Sequence, residues 1–173
     1  GYRSTEDPGF LALNPNGLVP VIRDGDLVLW ESNTICRYLA GREGRVDLLP
    51  MEPAARARVE QWMDWQATEF NNAWRYVFMA RVRRSSAHAE PSLIEASERE
   101  WNQRMVLLDQ QLARTGAYVA GAAFSLADVV IGLSVNRWRM TPMPHPELPA
   151  VMAYVQRLEE RLGYRRHGGN GVP

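Results

Sequence analysis

The chain has 173 residues, 46% hydrophobic and 23% charged, with a formal net charge of zero. That is enough for one sizeable core or two small ones, and no block of like charge points to nucleic acid or an anionic membrane as partner. The 20 basic residues are all arginine, which excludes a Schiff-base lysine within this chain. The one cysteine, Cys36, allows no intrachain disulfide and fits a reducing compartment. No apolar run is long enough to span a membrane. The expectation is a cytoplasmic protein.

Tyr2 to Pro8 reads as a polar loop, followed by a helical turn through Phe10, Leu11 and Leu13. The next stretch, Asn14 to Ala40, organises the rest. Two β-type runs, Val21-Ile22-Arg23 and Leu27-Val28-Leu29-Trp30, flank Asp24-Gly25-Asp26. A short Gly-containing loop between β-formers predicts a hairpin, with Gly25 supplying positive φ. Ile35, Tyr38 and Leu39 then recur at helical spacing, which leaves Glu31 and Ser32 at the strand-to-helix junction. Pro20 has no N–H to give, so it suits a strand start or edge. A cis Val19–Pro20 bond would turn the Val19 backbone outward, where it could pair with an extended peptide. Glu31 and Ser32 also fit a simpler role as helix caps.

Gly41 and Gly44 end this helix, and residues 42–52 form a linker. Pro53 opens a helical region that runs to about Arg84. Val59, Trp62, Met63, Phe70, Trp74, Val77 and Phe78 trace its apolar face. Ser85 to Glu90 is a polar break. From Pro91, Ile94, Trp101, Met105, Leu108 and Leu112 repeat at helical spacing to Gly116, which makes the two helices partners of a bundle. Ser125-Leu126-Ala127-Asp128 is a shortened capping box at the head of a helix apolar on all sides, the expected centre of the second half. Capping explains Asp128 better than acid catalysis does. Pro142 to Pro149 reads as a rigid loop, Val151 to Leu162 as a last helix, and Gly163 to Pro173 as a polar tail. No His or carboxylate spacing suits a metal. Cys36 reads as a core residue.

The segments NPNGLVPVI, DGDLVLWES and RYLA resemble the second half of the glutathione-binding domain of cytosolic glutathione transferases. The helical remainder extends the resemblance over the whole chain. It implies an α+β chain that is mostly α, the C-terminal half of a thioredoxin-like domain followed by an all-helical domain. The divisions are 1–41, the 42–52 linker and 53–173. The hairpin cannot stand alone, and the family's domain begins with a strand-helix-strand unit of roughly 30 or more residues. The sequence therefore reads as starting inside that domain.

The resemblance also implies glutathione as co-substrate, without a metal, and a small hydrophobic electrophile as second substrate. Pro20 would be cis, Val19 would pair with the cysteinyl backbone, and Glu31 and Ser32 would bind the γ-glutamyl end. Helix N-termini favour such anions. The thiolate-stabilising hydroxyl or thiol of the family lies on an early segment, so no catalytic residue is assigned to this chain. Phe70, Trp74 and Trp138 are candidates for the wall of the electrophile pocket, each also readable as core. Leu18 departs from the family, where many members carry Lys or Gln to hold the glycyl carboxylate. The alternative is a non-catalytic relative that binds or regulates. A homodimer is expected, with Trp62, Trp65, Phe70, Trp74 and Phe78 read as a surplus apolar face at its interface.

Overall fold

Asp7 opens a four-residue helix, α1 (Pro8–Leu11), by accepting from the Gly9 amide at 2.8 Å. The computed structural model describes residues 4–173, so Tyr2 lies outside the described residues. Strands β1 (Val21–Asp24) and β2 (Leu27–Trp30) pair antiparallel, with Val21 opposite Trp30 and Asp24 opposite Leu27. Gly25 turns the hairpin at φ 60°. Helix α2 (Ser32–Arg42) lies against it and buries Asn33, Ile35 and Ala40. The Tyr38 hydroxyl donates to the Asp24 carboxylate at 2.6 Å, and Arg42 pairs with the same carboxylate at 2.6 Å. The far end of α2 is thereby fastened to the hairpin turn, and both donors hold the Asp24 carboxyl below its usual range.

Helix α3 (Pro53–Trp65) starts on Glu52, whose carboxylate accepts from the Ala54 and Ala55 amides at 2.9 and 2.7 Å. At its end the backbone widens into a π turn, Gln66–Phe70, where the Asn71 amide reaches the Gln66 carbonyl five residues back. The chain continues as α4 (Asn71–Arg81). A short 3₁₀ turn, Ser86–His88, fills the polar break before α5 (Pro91–Thr115), which Gly116 stops in the left-handed conformation at φ 74°. Helix α6 (Leu126–Met140) is buried over most of its circumference. Helices α7 (Pro149–Glu159) and α8 (Leu162–His167) close the bundle.

Together these elements make the mostly helical α+β chain expected from the sequence. The core gathers Met63 and Phe70 with Trp101, Met105 and Leu108 of α5, Ile131 and Val135 of α6, and Tyr154 and Leu158 of α7. The backbone joins the core to the linker where the Leu126 amide donates to the Leu48 carbonyl at 2.9 Å.

Two expectations need correction. The aromatic run from Trp62 to Phe78 is not a surplus face. Trp62, Phe70 and Phe78 are buried, and Trp65 and Trp74 are half-buried against the same core. The reason is that α3 packs on α6 while α4 packs on α5, so two faces of this run are covered. The stretch after Gly163 is also not all tail, since α8 runs through it to His167. The Tyr164 ring leaves no room for a Cβ at Gly168, and Leu158 of α7 with Tyr164 of α8 crowds Gly132 of α6, so α8 packs closely on the bundle.

Candidate functional site

The turn Asn14 to Gly17 is built around one buried side chain. Asn14 accepts from the Asn16 amide at 3.0 Å and donates to the Leu18 carbonyl at 2.7 Å. Asn in such turns mimics a backbone partner. The next peptide bond, Val19–Pro20, is cis. Val19 is 72% exposed, and among the described residues its N–H and C=O have no backbone partner. A free donor and acceptor on one exposed residue can pair with an extended peptide.

Glu31 follows β2 with φ 71° and ψ 110°. A non-glycine residue in that region costs on the order of 1–3 kcal/mol and is often found where a site needs it. Ser32 then begins α2, and no side chain caps this helix. The capping role open to Glu31 and Ser32 is thus not taken, and the first amides of α2 are left for another acceptor.

Val19, Pro20, Glu31 and Ser32 meet around one small cavity of about 100 Å³, together with Asn14, Asn16 and Leu18. All four residues singled out for glutathione are brought together. The two asparagines were not singled out, although Asn-Pro-Asn-Gly is turn chemistry readable from the sequence. Asn33, one residue past Ser32, points inward. Its amide donates to the Met63 carbonyl at 2.8 Å and to Gln66 Oε1 at 3.3 Å. Gln66 in turn donates to Asn71 Oδ1 at 3.1 Å and to Ser134 Oγ at 3.0 Å.

The three aromatic residues considered for an electrophile wall do not form one. Phe70 is fully buried and stacks on Trp65. Trp138 is buried, with its indole N–H on Asn102 Oδ1 at 2.9 Å. Both are core side chains with almost no surface to offer. Trp74 is half-buried, donates to Asn71 Oδ1 at 3.0 Å and lies under the Arg137 guanidinium.

Cys36 is half-buried in α2, and burial pushes its thiol pKa up. Asp128 is buried and accepts from the Ser125 amide at 2.8 Å, completing the capping box. Among the described residues no group of His, Cys, Asp or Glu could hold a metal ion. No helix among them is long and apolar enough to cross a membrane.

Residues 2–42 match the family model described as Glutathione S-transferase, N-terminal domain. Over 162 residues the chain is 38% identical to Glutathione S-transferase GstB of Escherichia coli (strain K12), which spans 92% of this chain and 77% of that protein. The chain belongs to the glutathione S-transferase family. Among solved structures of this family, it resembles the theta class glutathione S-transferase from the citrus canker pathogen Xanthomonas axonopodis pv. citri, determined with glutathione bound. The TM-score is 0.87 at 37% identity, over 95% of this chain and 78% of that one. Over 129 residues the chain is also 31% identical to Elongation factor 1-gamma 3 of Oryza sativa subsp. japonica. That match covers 74% of this chain but 30% of that protein.

Proposed function

We propose that this glutathione S-transferase family member is an enzyme that binds glutathione in the Val19–Ser32 cavity and uses its thiolate to attack or reduce a small hydrophobic electrophile. The observation that carries this reading is the convergence of Val19, Pro20, Glu31 and Ser32 at an uncapped helix N-terminus. The Val19 N–H and C=O pair with the cysteinyl unit. The Ser32 hydroxyl and the first α2 amides take the γ-glutamyl carboxylate, and the Glu31 carboxylate takes its ammonium. A free thiol has a pKa of about 8.5, so the bound thiol needs stabilisation as the anion. The group that provides it is assigned to no residue here.

The same reading divides the chain into a partial thioredoxin-like unit at 1–41, a linker at 42–52 and a helical unit at 53–173. It also includes a cytoplasmic homodimer. The aromatic face cannot build the interface, but α5 exposes Leu93, Val106 and Leu107. These make its outer surface the contact to test, and a monomer mass in sedimentation at micromolar concentration would count against the dimer.

Glutathione titration by calorimetry tests the site. Ser32→Ala removes a hydrogen bond to a charged group, worth roughly 1.5–3 kcal/mol, so Kd should rise by about tenfold or more. An unchanged Kd would refute the assignment. The weaker alternative is a binding module without turnover, which the likeness to an elongation factor keeps in view. Conjugation of 1-chloro-2,4-dinitrobenzene separates them, since the module would bind glutathione and form no product.

A further inference from the structure

Among the described residues, Arg137 is a cation without an anion. Its side chain is half-buried on α6, and its Nε–H is buried with no acceptor among the described residues. None of the ion pairs there includes it, whereas its neighbour Arg139 has Glu159 at 3.7 Å. The guanidinium carbon lies 4.5 Å from the Trp74 ring centroid and 5.5 Å from that of Phe78. On the same Phe78 ring, the Arg83 guanidinium lies at 5.6 Å.

A guanidinium is costly to remove from water when no carboxylate answers it. Ring faces offset part of that cost, but a second cation beside the same ring adds to it. Burial and Arg83 together push the Arg137 pKa down. An anion would offset both penalties at once. Among the described residues no acceptor takes a hydrogen bond from its guanidinium, and that planar fork matches a carboxylate.

The place of this cluster matters. Trp74 donates to Asn71, Asn71 accepts from Gln66, and Gln66 accepts from Asn33, the residue next to Ser32. Hydrogen bonds thus run from Trp74, under the cation, to Asn33, one residue along the chain from the cavity proposed for glutathione. Trp74, the one aromatic candidate that keeps some surface, supplies apolar contact beside the charge.

We propose that Arg137, supported by Arg83 and set on Trp74 and Phe78, selects second substrates that carry a carboxylate on a small apolar body. This rests on the transferase reading and narrows it, since a purely neutral electrophile would leave the half-buried Arg137 guanidinium unanswered.

The test is calorimetric titration of this chain, without glutathione, with 4-chloro-3-nitrobenzoate and with its methyl ester. The two share a ring and differ in charge. The acid should bind at least about tenfold more tightly, the range of one hydrogen-bonded charged group. Raising the salt should weaken the acid alone. Arg137→Met keeps the apolar stem and should abolish the preference of acid over ester. Equal binding of acid and ester to the wild type, or a preference that survives Arg137→Met, overturns the proposal.

If Arg137→Met does not fold, as judged by circular dichroism, the exposed Arg83→Gln takes its place. That variant should reduce the preference by about threefold, and an intact preference overturns the proposal. A parallel glutathione titration keeps the two readings apart. Glutathione binding with no acid preference removes this inference and leaves the transferase. Acid preference with no glutathione binding removes the second-substrate role.

Discussion

The Asn33 side-chain amide donates to the Gln66 carboxamide oxygen at 3.3 Å, joining the start of α2 to the π turn. Each amide uses both hydrogens. Asn33 also reaches the Met63 carbonyl, and Gln66 reaches Asn71 and Ser134. The Ser134 hydroxyl passes its own hydrogen to the Val130 carbonyl at 3.0 Å. A fully satisfied polar network between packed helices fixes their relative position, whereas a partly satisfied one would be costly. π turns recur at functional sites. Here the turn carries Gln66 itself, the residue that connects α2, α4 and α6.

Gln66→Ala should therefore act at a distance. It leaves Asn33, Asn71 and Ser134 each short of a partner, at a cost of about 1–3 kcal/mol of stability. It also frees the start of α2, so glutathione affinity should fall even though Gln66 does not line the cavity. Chemical denaturation and glutathione calorimetry check the two parts, with the exposed Gln103→Ala as control. Lost stability with unchanged glutathione affinity would show that the network holds the bundle but not the site.

Asp128 should be more sensitive than an ordinary cap. A lost cap costs about 0.5–2 kcal/mol. The Asp128 carboxylate, however, accepts from the Val119 amide at 2.9 Å, the Ser125 amide at 2.8 Å, the Ser125 hydroxyl at 3.1 Å and the Tyr154 hydroxyl at 3.1 Å. All of these donors are buried. Asp128→Ala should destabilise by more than about 2 kcal/mol, and Asp128→Asn by less because an amide oxygen still accepts. Denaturation midpoints decide it. Unchanged midpoints with reduced turnover would instead make Asp128 a catalytic group.

What the sequence reveals here depends on how local the cause is. The hairpin and α2 follow from β-formers around Asp-Gly and from helical spacing within 27 residues, Asn14 to Ala40. The capping box lies within four residues. The π turn has no such signature. Its side-chain partners Asn33 and Ser134 lie 33 and 68 residues from Gln66, and only the fold brings them together. Periodicity likewise identified the aromatic face of α3 and α4 without showing that α5 and α6 would cover it. Glycine spacing near the C-terminus read as a tail because the partner that makes those glycines useful is the Tyr164 ring packed upon them.

Cys36 should behave as an inert thiol. Burial is the larger influence on it and raises its pKa, while the nearby Arg37 works in the opposite direction. A raised pKa means less thiolate at neutral pH than an exposed cysteine has, and the thiolate is the reactive form. Iodoacetamide should therefore modify Cys36 more slowly than free cysteine at pH 7, with the rate climbing only as pH passes above the usual thiol range. Mass spectrometry of timed samples measures this. Modification as fast as free cysteine at pH 7 would mean that the thiol is both accessible and activated, and would reopen a chemical role for it.

Leu18 offers a gain-of-function test of the site. Its side chain is 64% exposed beside the cavity and its carbonyl is held by Asn14, so a replacement side chain disturbs neither core nor turn. In the proposed orientation the glycyl carboxylate of glutathione lies towards this residue, and an apolar side chain gives it nothing. Leu18→Lys adds one partly exposed ion pair, worth about 0.2–1 kcal/mol, which corresponds to roughly a 1.4- to 5-fold lower Kd. The gain should shrink at high salt. It should vanish for a glutathione monoester blocked at the glycyl carboxylate, because the ester removes the charge while keeping the rest of the ligand. Calorimetry with both ligands separates the outcomes. A gain of equal size for the ester would place the glycyl end elsewhere and reverse the proposed orientation of the tripeptide.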